Sequence, residues 1–425
     1  MCYAIPGKVL ELDGKKVTVD YFGEKKTAIN EITSLKLGDY IYAQGGYVIQ
    51  TVPEKEAIEV LETWKELFFE LREKDLRLSK IDHAATGVDK GFTLILDKAN
   101  EGRDLTRQEL LTLLKTEKPP ELDLLYRTAN FLRQKHLSNS CCVHGIIEFS
   151  NYCQHDCAYC GIRQGNSDVQ RYRMTDEEIL EAADEAIEKH GFKALVLQSG
   201  EDPGRPVDWL IGIIKEIKRR HAVLIFVSVG EVGPVGLAGL YEAGVRGVLT
   251  RFETSNPRLF AKLHCGDKLE DRVAEIKAAY SLGYLVATGG LIGLPGQTIE
   301  DLLNDILLAK ELKAEMYTFG PVLPNGPKSD LVLKVLAVAR IVDPDNAKIV
   351  VTTGFETLDP NARRLGLLAG ASSVMLNVTP LKYRRLYNIY PNRAHLEESI
   401  EGQIRETLDL LYSLGRAPTD LGVGQ

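Results

Sequence analysis

"VHGIIEFSNYCQHDCAYCGIR", residues 143–163, joins an apolar run to three cysteines within eight positions. Its first half, "VHGIIEFSN", reads as a buried strand, because apolar residues dominate and no helical spacing recurs. From there the chain alternates regularly. The next candidate strands are "KALVLQSG", "VLIFVSVGE", "GVLTRFET", "YLVATGGLIG", "EMYTFGPVLP", "KIVVTTGF" and "SSVMLNVTP". Helical stretches such as "TDEEILEAADEAIEKHG" and "IEDLLNDILLAKEL" lie between them, and Thr175 and Glu178 have capping-box spacing. Eight strand–helix units in roughly 270 residues match a (β/α)8 barrel. An open doubly wound sheet is the alternative, since periodicity does not show closure. Polar and glycine-rich groups recur at the end of each strand: SN, QSGED, GE, RFET, GLPGQ, GPVLPN, TTG and NVTP. In a barrel these ends converge on one mouth, which favours closure.

Upstream the pattern differs. "GKVLELDG", "KKVTVDYFG", "KKTAINEI" and "DYIYAQGGYVIQ" are short β-rich runs divided by turn signals, which suits a small barrel. After Pro53 the period becomes helical, with Ile58, Leu61, Trp64, Leu67, Phe68 and Leu71 on one stripe that suits packing against the small barrel or its neighbour. Residues 76–100 read as a connector, with Gly87 and Gly91 as breakers. Helices are expected around 105–116 and 120–136, split at Pro119-Pro120. The expected organisation is a small OB-like β-barrel plus helix at 1–75, a connector at 76–100, and an α/β barrel with N-terminal helices at 101–425.

The net charge of −8 gives no electrostatic reason to expect nucleic acid, and the runs "KRR" (218–220) and "YRR" (383–385) read as solvated helix faces. No apolar run reaches membrane-span length, and "MCYAIPGKV" lacks a basic leader, so a cytoplasmic, reducing location is the default expectation. Cysteines 2, 141, 142, 153, 157, 160 and 265 are then better metal ligands than disulfide partners. Cys141 and Cys142, placed just before the first barrel strand, and Cys265 read as buried small apolar residues.

Cys153, Cys157 and Cys160 have the spacing C-x3-C-x2-C. A structural zinc site normally closes with four protein ligands, and His155 inside the loop would make a strained chelate. Three thiolates can instead hold three irons of a [4Fe-4S] cluster and leave the fourth open. "CQHDCAYC" resembles the signature of the radical S-adenosylmethionine (SAM) superfamily, with Tyr159 before the last cysteine. That resemblance implies a radical SAM barrel whose open iron binds SAM and whose electron cleaves it to a 5′-deoxyadenosyl radical.

Longer matches are narrower. "GIIEFSNYCQHDCAYCGIRQGN", "RYRMTDEEI", "LVLQSGEDP", "GLPGQT" and "TPLKYRRLYNIYP" resemble the HydE maturases of [FeFe]-hydrogenases, a family near biotin synthase and methylornithine synthase. The likeness runs over about residues 90–420. It implies SAM contacts at Tyr159, Gly200, Glu201, Glu231, Arg251, Gly293 and Pro295, with Gly296 shaping the same loop. Bidentate pairing suits Arg251 to the methionine carboxylate, and Glu201 suits the ammonium; each of these charges has a structural ion pair as its plainer reading. Ser199, Thr352, Thr353 and Tyr383 are candidates on the substrate side, with Tyr387 beside them. Phe252, Leu376 and Val378 depart from the family pattern, and these departures are expected to concentrate on the substrate side. No cysteine follows Cys265, so the second cluster of some maturases has no ligands.

"MCYAIPGKVLELDG" and "LGDYIYAQGGYVIQTV" resemble the HypC family of [NiFe]-hydrogenase assembly chaperones. That implies a small β-barrel with a C-terminal helix, in which Cys2 takes part in carrying an Fe(CN)2(CO) unit; Gln44 stands where the family often has His. Together the resemblances imply a fused maturation factor: a radical enzyme for a small-molecule or organometallic iron substrate, with a module that carries or docks the iron species. They further imply HypD-like or other hydrogenase assembly partners and a reductant such as ferredoxin or flavodoxin, with neither nucleic acid nor membrane. A radical enzyme acting on an amino acid or thioether, as in the methylornithine branch, and a non-catalytic metallochaperone scaffold are the alternatives.

Overall fold

The computed structural model describes residues 3–31, 34–81, 87–264 and 266–422; Cys2 and Cys265 lie outside the described residues. Five strands open the chain: β1 (Gly7–Asp13), β2 (Lys16–Tyr21), β3 (Glu24–Ile29), β4 (Tyr40–Gln44) and β5 (Tyr47–Val52). They close in the order β1-β2-β3-β5-β4. Alternation turns Val17, Val19 and Tyr21 inward to meet Val9, Ile41 and Ala43. Helix α1 (Glu54–Leu78) seals this core with Trp64, Phe68 and Leu71. The expected stripe differs from the burial at its start, where Ile58 is exposed and its neighbour Ala57 packs against Tyr42 and Val52 of the barrel instead.

The stretch read as a connector contains a helix, α2 (Lys90–Asn100). Asp89 caps it by accepting from the Gly91 and Phe92 amides, and Phe92, Leu96 and Ala99 are buried. Gly91 sits in the first turn, where a glycine interrupts nothing, and an apolar stripe of three residues gives only a faint period. Helices α3 (Arg107–Lys115) and α4 (Pro119–Leu137) follow, the first with a Thr106/Glu109 capping box and the second with proline at its start.

The remaining strands are β6 (Ser140–Ser150), β7 (Ala194–Ser199), β8 (Leu224–Ser228), β9 (Gly247–Leu249), β10 (Leu285–Thr288), β11 (Leu291–Ile292), β12 (Met316–Tyr317), β13 (Gly320–Pro321), β14 (Lys348–Val351), β15 (Ser373–Asn377) and β16 (Ala417–Pro418). β6, β7, β8, β9, β10, β12, β14 and β15 pair in parallel, and β15 returns to β6 in register Ser373↔Cys142 to Asn377↔Ile146. The sheet is closed, which excludes the open alternative. Between the strands run α5 (Asp176–Asp184), α6 (Val207–Arg220), α7 (Gly233–Glu242), α8 (Pro257–Leu263), α9 (Leu269–Ser281), α10 (Ile299–Glu311), α11 (Ser329–Val342), α12 (Thr353–Leu358), α13 (Ala362–Leu368), α14 (Leu381–Arg384) and α15 (Ile400–Ser413).

Strand parity divides the apolar residues into two cores. Ile146, Val196, Leu224, Phe226, Ala287, Met316 and Val350 fill the lumen, whereas Val143, Ile147, Leu197, Val227 and Val374 pack outward on the helices. Cys141 and Cys142 lie inside β6 rather than before it. Cys141 belongs to the outer core, and Cys142 lines a small cavity at the barrel floor.

The small barrel stands on that floor. Gly45, at the β4–β5 turn with φ +56°, comes so near the lumen that a Cβ there would meet Leu224 and Leu285 at 2.7 and 2.8 Å. Tyr47 joins the lumen core and donates its hydroxyl to the Gly283 carbonyl at 2.8 Å. On the flank, Asp75 of α1 receives both Nη groups of Arg133 at 2.7 Å and lies 3.2 Å from Arg416 Nε, all three side chains being buried. Gln44, beside the turn, is fully buried, with no hydrogen bond to its amide group among the described residues.

Candidate active site

The cysteine loop begins where β6 ends and is tied down on all sides. Arg171 donates to the carbonyls of Asn151, Ile162 and Arg163, and Asn151 donates to those of Gln170 and Leu386. The Gln154 amide donates to Glu201 O, and that of Gly161 to Ile389 O at 2.7 Å. Gly161 packs so tightly that a Cβ would overlap the Asn388 carbonyl oxygen. Gly200 is equally constrained: a side chain there would meet the Tyr152 carbonyl and the Cys153 Cβ. The loop sequence thus needs glycine at 161 and on the facing rim at 200.

The three thiols are half-buried and face one another electrostatically. Burial, then the neighbouring Cys160 and Cys153, pushes Cys157 up to about 12; burial pushes Cys160 to about 11 and raises Cys153. Three sulfurs that repel one another's charge need a cationic group to become thiolates together, which is what an iron–sulfur cluster supplies. His155 cannot complete the set: its Nε2 lies 2.5 Å from Glu201 Oε2 and its Nδ1 3.2 Å from Asp267. Cys157 Sγ lies 3.4 Å from His264 Nδ1, on a ring whose pKa burial lowers from its ordinary value. Among the described residues the donor set fits a cluster with three protein ligands.

Below the loop lies a cavity of about 260 Å³ lined by Tyr159, Cys160, Arg251, Glu253, Thr352 and Thr353, among others. Arg251 Nη2 and Glu253 Oε2 approach to 3.0 Å but off the hydrogen-bond direction, and both atoms are otherwise unpartnered among the described residues. Tyr159 donates to Glu253 Oε1 at 3.1 Å and lies 3.3 Å from His264 Nε2. Glu253 holds φ +64°, unusual for a residue with a side chain, and is fixed there by bonds to Gly289 and Leu291. A cation and an anion with spare bonding capacity, beside the cysteine loop, fit the zwitterionic end of an amino-acid cofactor such as SAM.

Ser199, Gly200, Glu201 and Glu231 line a second cavity of about 170 Å³ on the rim. Glu201 accepts from the Glu231 amide at 3.0 Å, and Glu231 is ion-paired with Arg272. The structure therefore brings Tyr159, Cys160, Arg251, Thr352 and Thr353 together and sets the Ser199–Glu231 group beside them.

The structure places the remaining candidates outside these two cavities or on their walls. Tyr383 lines neither cavity: its ring stacks on Tyr172 and its hydroxyl donates to Glu178 at 2.6 Å, at the start of α5. Gly293 and Pro295 also line neither. Gln297 holds Gly293 by accepting from its amide at 2.8 Å, and Pro295 is exposed. Thr352 lines the cavity and also caps α12, its hydroxyl oxygen accepting from the Phe355 amide. Leu376 on β15, and Phe252 and Val378 just past the ends of β9 and β15, belong to the outer core, so these departures do not line the cavity.

Glu253, His264, Gln198 and the buried pair Arg393–Glu148 were missed in the sequence. Glu253 stood in the strand-end group RFET, a usable signal. Arg393 comes from a loop 245 residues from Glu148, and no spacing announces that.

Residues 147–309 match the model of the radical SAM superfamily, and residues 1–64 that of the HupF/HypC family. The chain is 38% identical to the [FeFe] hydrogenase maturase subunit HydE of Thermotoga maritima, over 76% of this chain and 94% of that one. It is 27% identical to a 3-methylornithine synthase of Methanosarcina acetivorans, over 76% and 93%. The crystal structure of methylornithine synthase (PylB) superimposes with a TM-score of 0.66 at 26% identity, covering 76% of this chain and 97% of that one. A closed parallel barrel with a three-cysteine loop at its mouth makes this a radical SAM enzyme. The chain belongs to the HydE-like group of that superfamily and carries an N-terminal HupF/HypC family domain.

Proposed function

We propose that this chain is a fused maturation factor that performs SAM-dependent radical chemistry in the assembly of a hydrogenase metal centre. The observation that carries the proposal is the union, in one packed structure, of a HydE-like barrel with a HupF/HypC domain seated on its floor. The name of the HydE relative points to hydrogenase maturation, and the resemblance of the N-terminal module to HypC chaperones supports the same client.

In this reading Cys153, Cys157 and Cys160 hold a [4Fe-4S] cluster. Bound there, cluster and SAM together would supply a 5′-deoxyadenosyl radical by one-electron cleavage. Arg251 and Glu253 grip the charged amino-acid end, with Glu201 and Glu231 on the adjoining rim. Tyr159 and His264 hold Glu253 and Cys157 in place. Gly200 and Gly161 let the cysteine loop lie close to the rim. Thr352, Thr353 and Thr318 face the substrate. The substrate is a small molecule or an iron species with CO and CN ligands, and the N-terminal module carries or docks it through Cys2. HypD-like assembly proteins and a ferredoxin or flavodoxin would be its partners.

The test has two arms. Anaerobically reconstituted protein with dithionite should form 5′-deoxyadenosine, and Cys157→Ala should not; failure of the first would favour a scaffold without catalysis. Cys2→Ala should keep that cleavage while losing transfer of ligated iron. Loss of cleavage in that variant would refute the division of labour.

A further inference from the structure

At the floor of the barrel, on the end opposite the cysteine loop, Cys142, His144 and Asp420 bring one sulfur, one imidazole nitrogen and one carboxylate oxygen within 4.8 Å of one another. We propose that these three side chains form a second metal site, which takes a single borderline divalent ion of the Zn(II)/Fe(II) class. The inference stands on geometry alone and does not depend on the function proposed above.

Cys142 and His144 are two apart on β6, so both point into the lumen from the same face. Asp420 arrives just after β16, whose pairing of Pro418 with Cys141 fixes its place. All three are buried, and His144 Nε2 lies 3.2 Å from Asp420 Oδ2. Ligands at 2.0–2.3 Å from a tetrahedral ion stand about 3.3–3.8 Å apart, so the trio needs only small adjustment. The three line a void of about 20 Å³, room for one ion or water, whose other walls include Gly45 of the small barrel and the mutually neutralising pair Lys348–Glu315. Thr419 donates to Asp420 at 2.6 Å and Phe226 packs against the imidazole, both of which fix the ligands' orientation. Thiolate and carboxylate together balance a divalent charge. The mixed S, N, O set excludes hard ions such as Mg(II) and leaves a fourth position open.

The other cluster of this kind among the described residues differs. Glu185, His190 and Glu401 include two exposed carboxylates, and Lys189 already bridges them as the cation. It serves as the internal control.

The test uses the full chain with Cys153, Cys157 and Cys160 changed to Ser, so that the mouth takes no metal. Anaerobic titration with Co(II) should reach one ion per chain, with a thiolate charge-transfer band and visible bands of tetrahedral strength. Cys142→Ser should remove the charge-transfer band, and Asp420→Asn should weaken binding about tenfold or more. Cys141→Ser, His190→Ala and Cys2→Ser should change nothing. Displacement by Zn(II), and metal analysis of the protein as purified, decide between zinc and iron. Should the variants fail to fold, zinc X-ray absorption of the parent protein should show one sulfur near ~2.3 Å with nitrogen and oxygen neighbours. A shell without sulfur, binding that survives Cys142→Ser, or a band lost with Cys2→Ser would each overturn the proposal. So would no uptake of Co(II), leaving the trio a plain hydrogen-bonded charge pair.

Discussion

Changing Asp75 to Asn tests how the N-terminal module is fastened to the barrel. The carboxylate takes both Nη groups of Arg133 at 2.7 Å and stands 3.2 Å from Arg416 Nε, with all partners buried. Arg133 retains Ser138 O and Asn130 Oδ1, and Arg416 retains Asn130 Oδ1 and Leu367 O. The variant therefore keeps much of the hydrogen bonding but leaves two guanidinium charges facing each other with no anion. Removing one member of a buried pair costs about 3–5 kcal/mol. At roughly 3 kcal/mol per molar urea, the midpoint should fall by about 1 M or more. The chain has two tryptophans, Trp64 on α1 and Trp209 on α6, so Trp209→Phe and Trp64→Phe give one probe for each part. With Asp75→Asn the Trp64 transition should shift first and separate from the Trp209 transition. A change within about 0.5 kcal/mol at both probes would show that the network contributes nothing to the junction.

Gly161→Ala should cut iron content after reconstitution by more than half with little change in far-ultraviolet circular dichroism, because the new methyl overlaps the Asn388 carbonyl and displaces only the cysteine loop. Arg251→Gln should lower SAM binding about tenfold or more while leaving the cluster's visible spectrum unchanged, as the side chain reaches the cavity but no cysteine. Burial lifts the Asp305 carboxyl to about 7, against the hydrogen bonds it accepts from Ser255. The unfolded chain releases that proton near pH 4, so this stabilising contribution is complete below about pH 4 and is lost as pH rises through 7. Asp305→Asn should therefore flatten the decline in stability between about pH 4 and 7, measured by urea midpoints.

The barrel was legible because strand residues obey parity and strand ends carry polar groups. The same parity, applied to Leu376, would have placed it away from the cavity. α2 escaped because three apolar residues make a weak period and its cap, Asp89, precedes an unhelpful glycine. The cysteine ligands announce themselves by spacing, and Arg251 by standing at a strand end. Tyr383 misled because proximity to the mouth in sequence says nothing of a hydroxyl that Glu178 takes. Glu253 stood in the strand-end group RFET, but its turn into the cavity depends on a left-handed backbone residue, and Arg393 depends on a contact across 245 positions that leaves no local trace.

The floor has a consequence for traffic. Tyr47 and the Gly45 turn close the base, and Val196, Phe226, Met316 and Val350 fill the shaft above them. The barrel is a blind well. Whatever is made beneath the cysteine loop leaves by the way it came, so cargo passing between the two modules travels around the outside, or waits for the module to lift away.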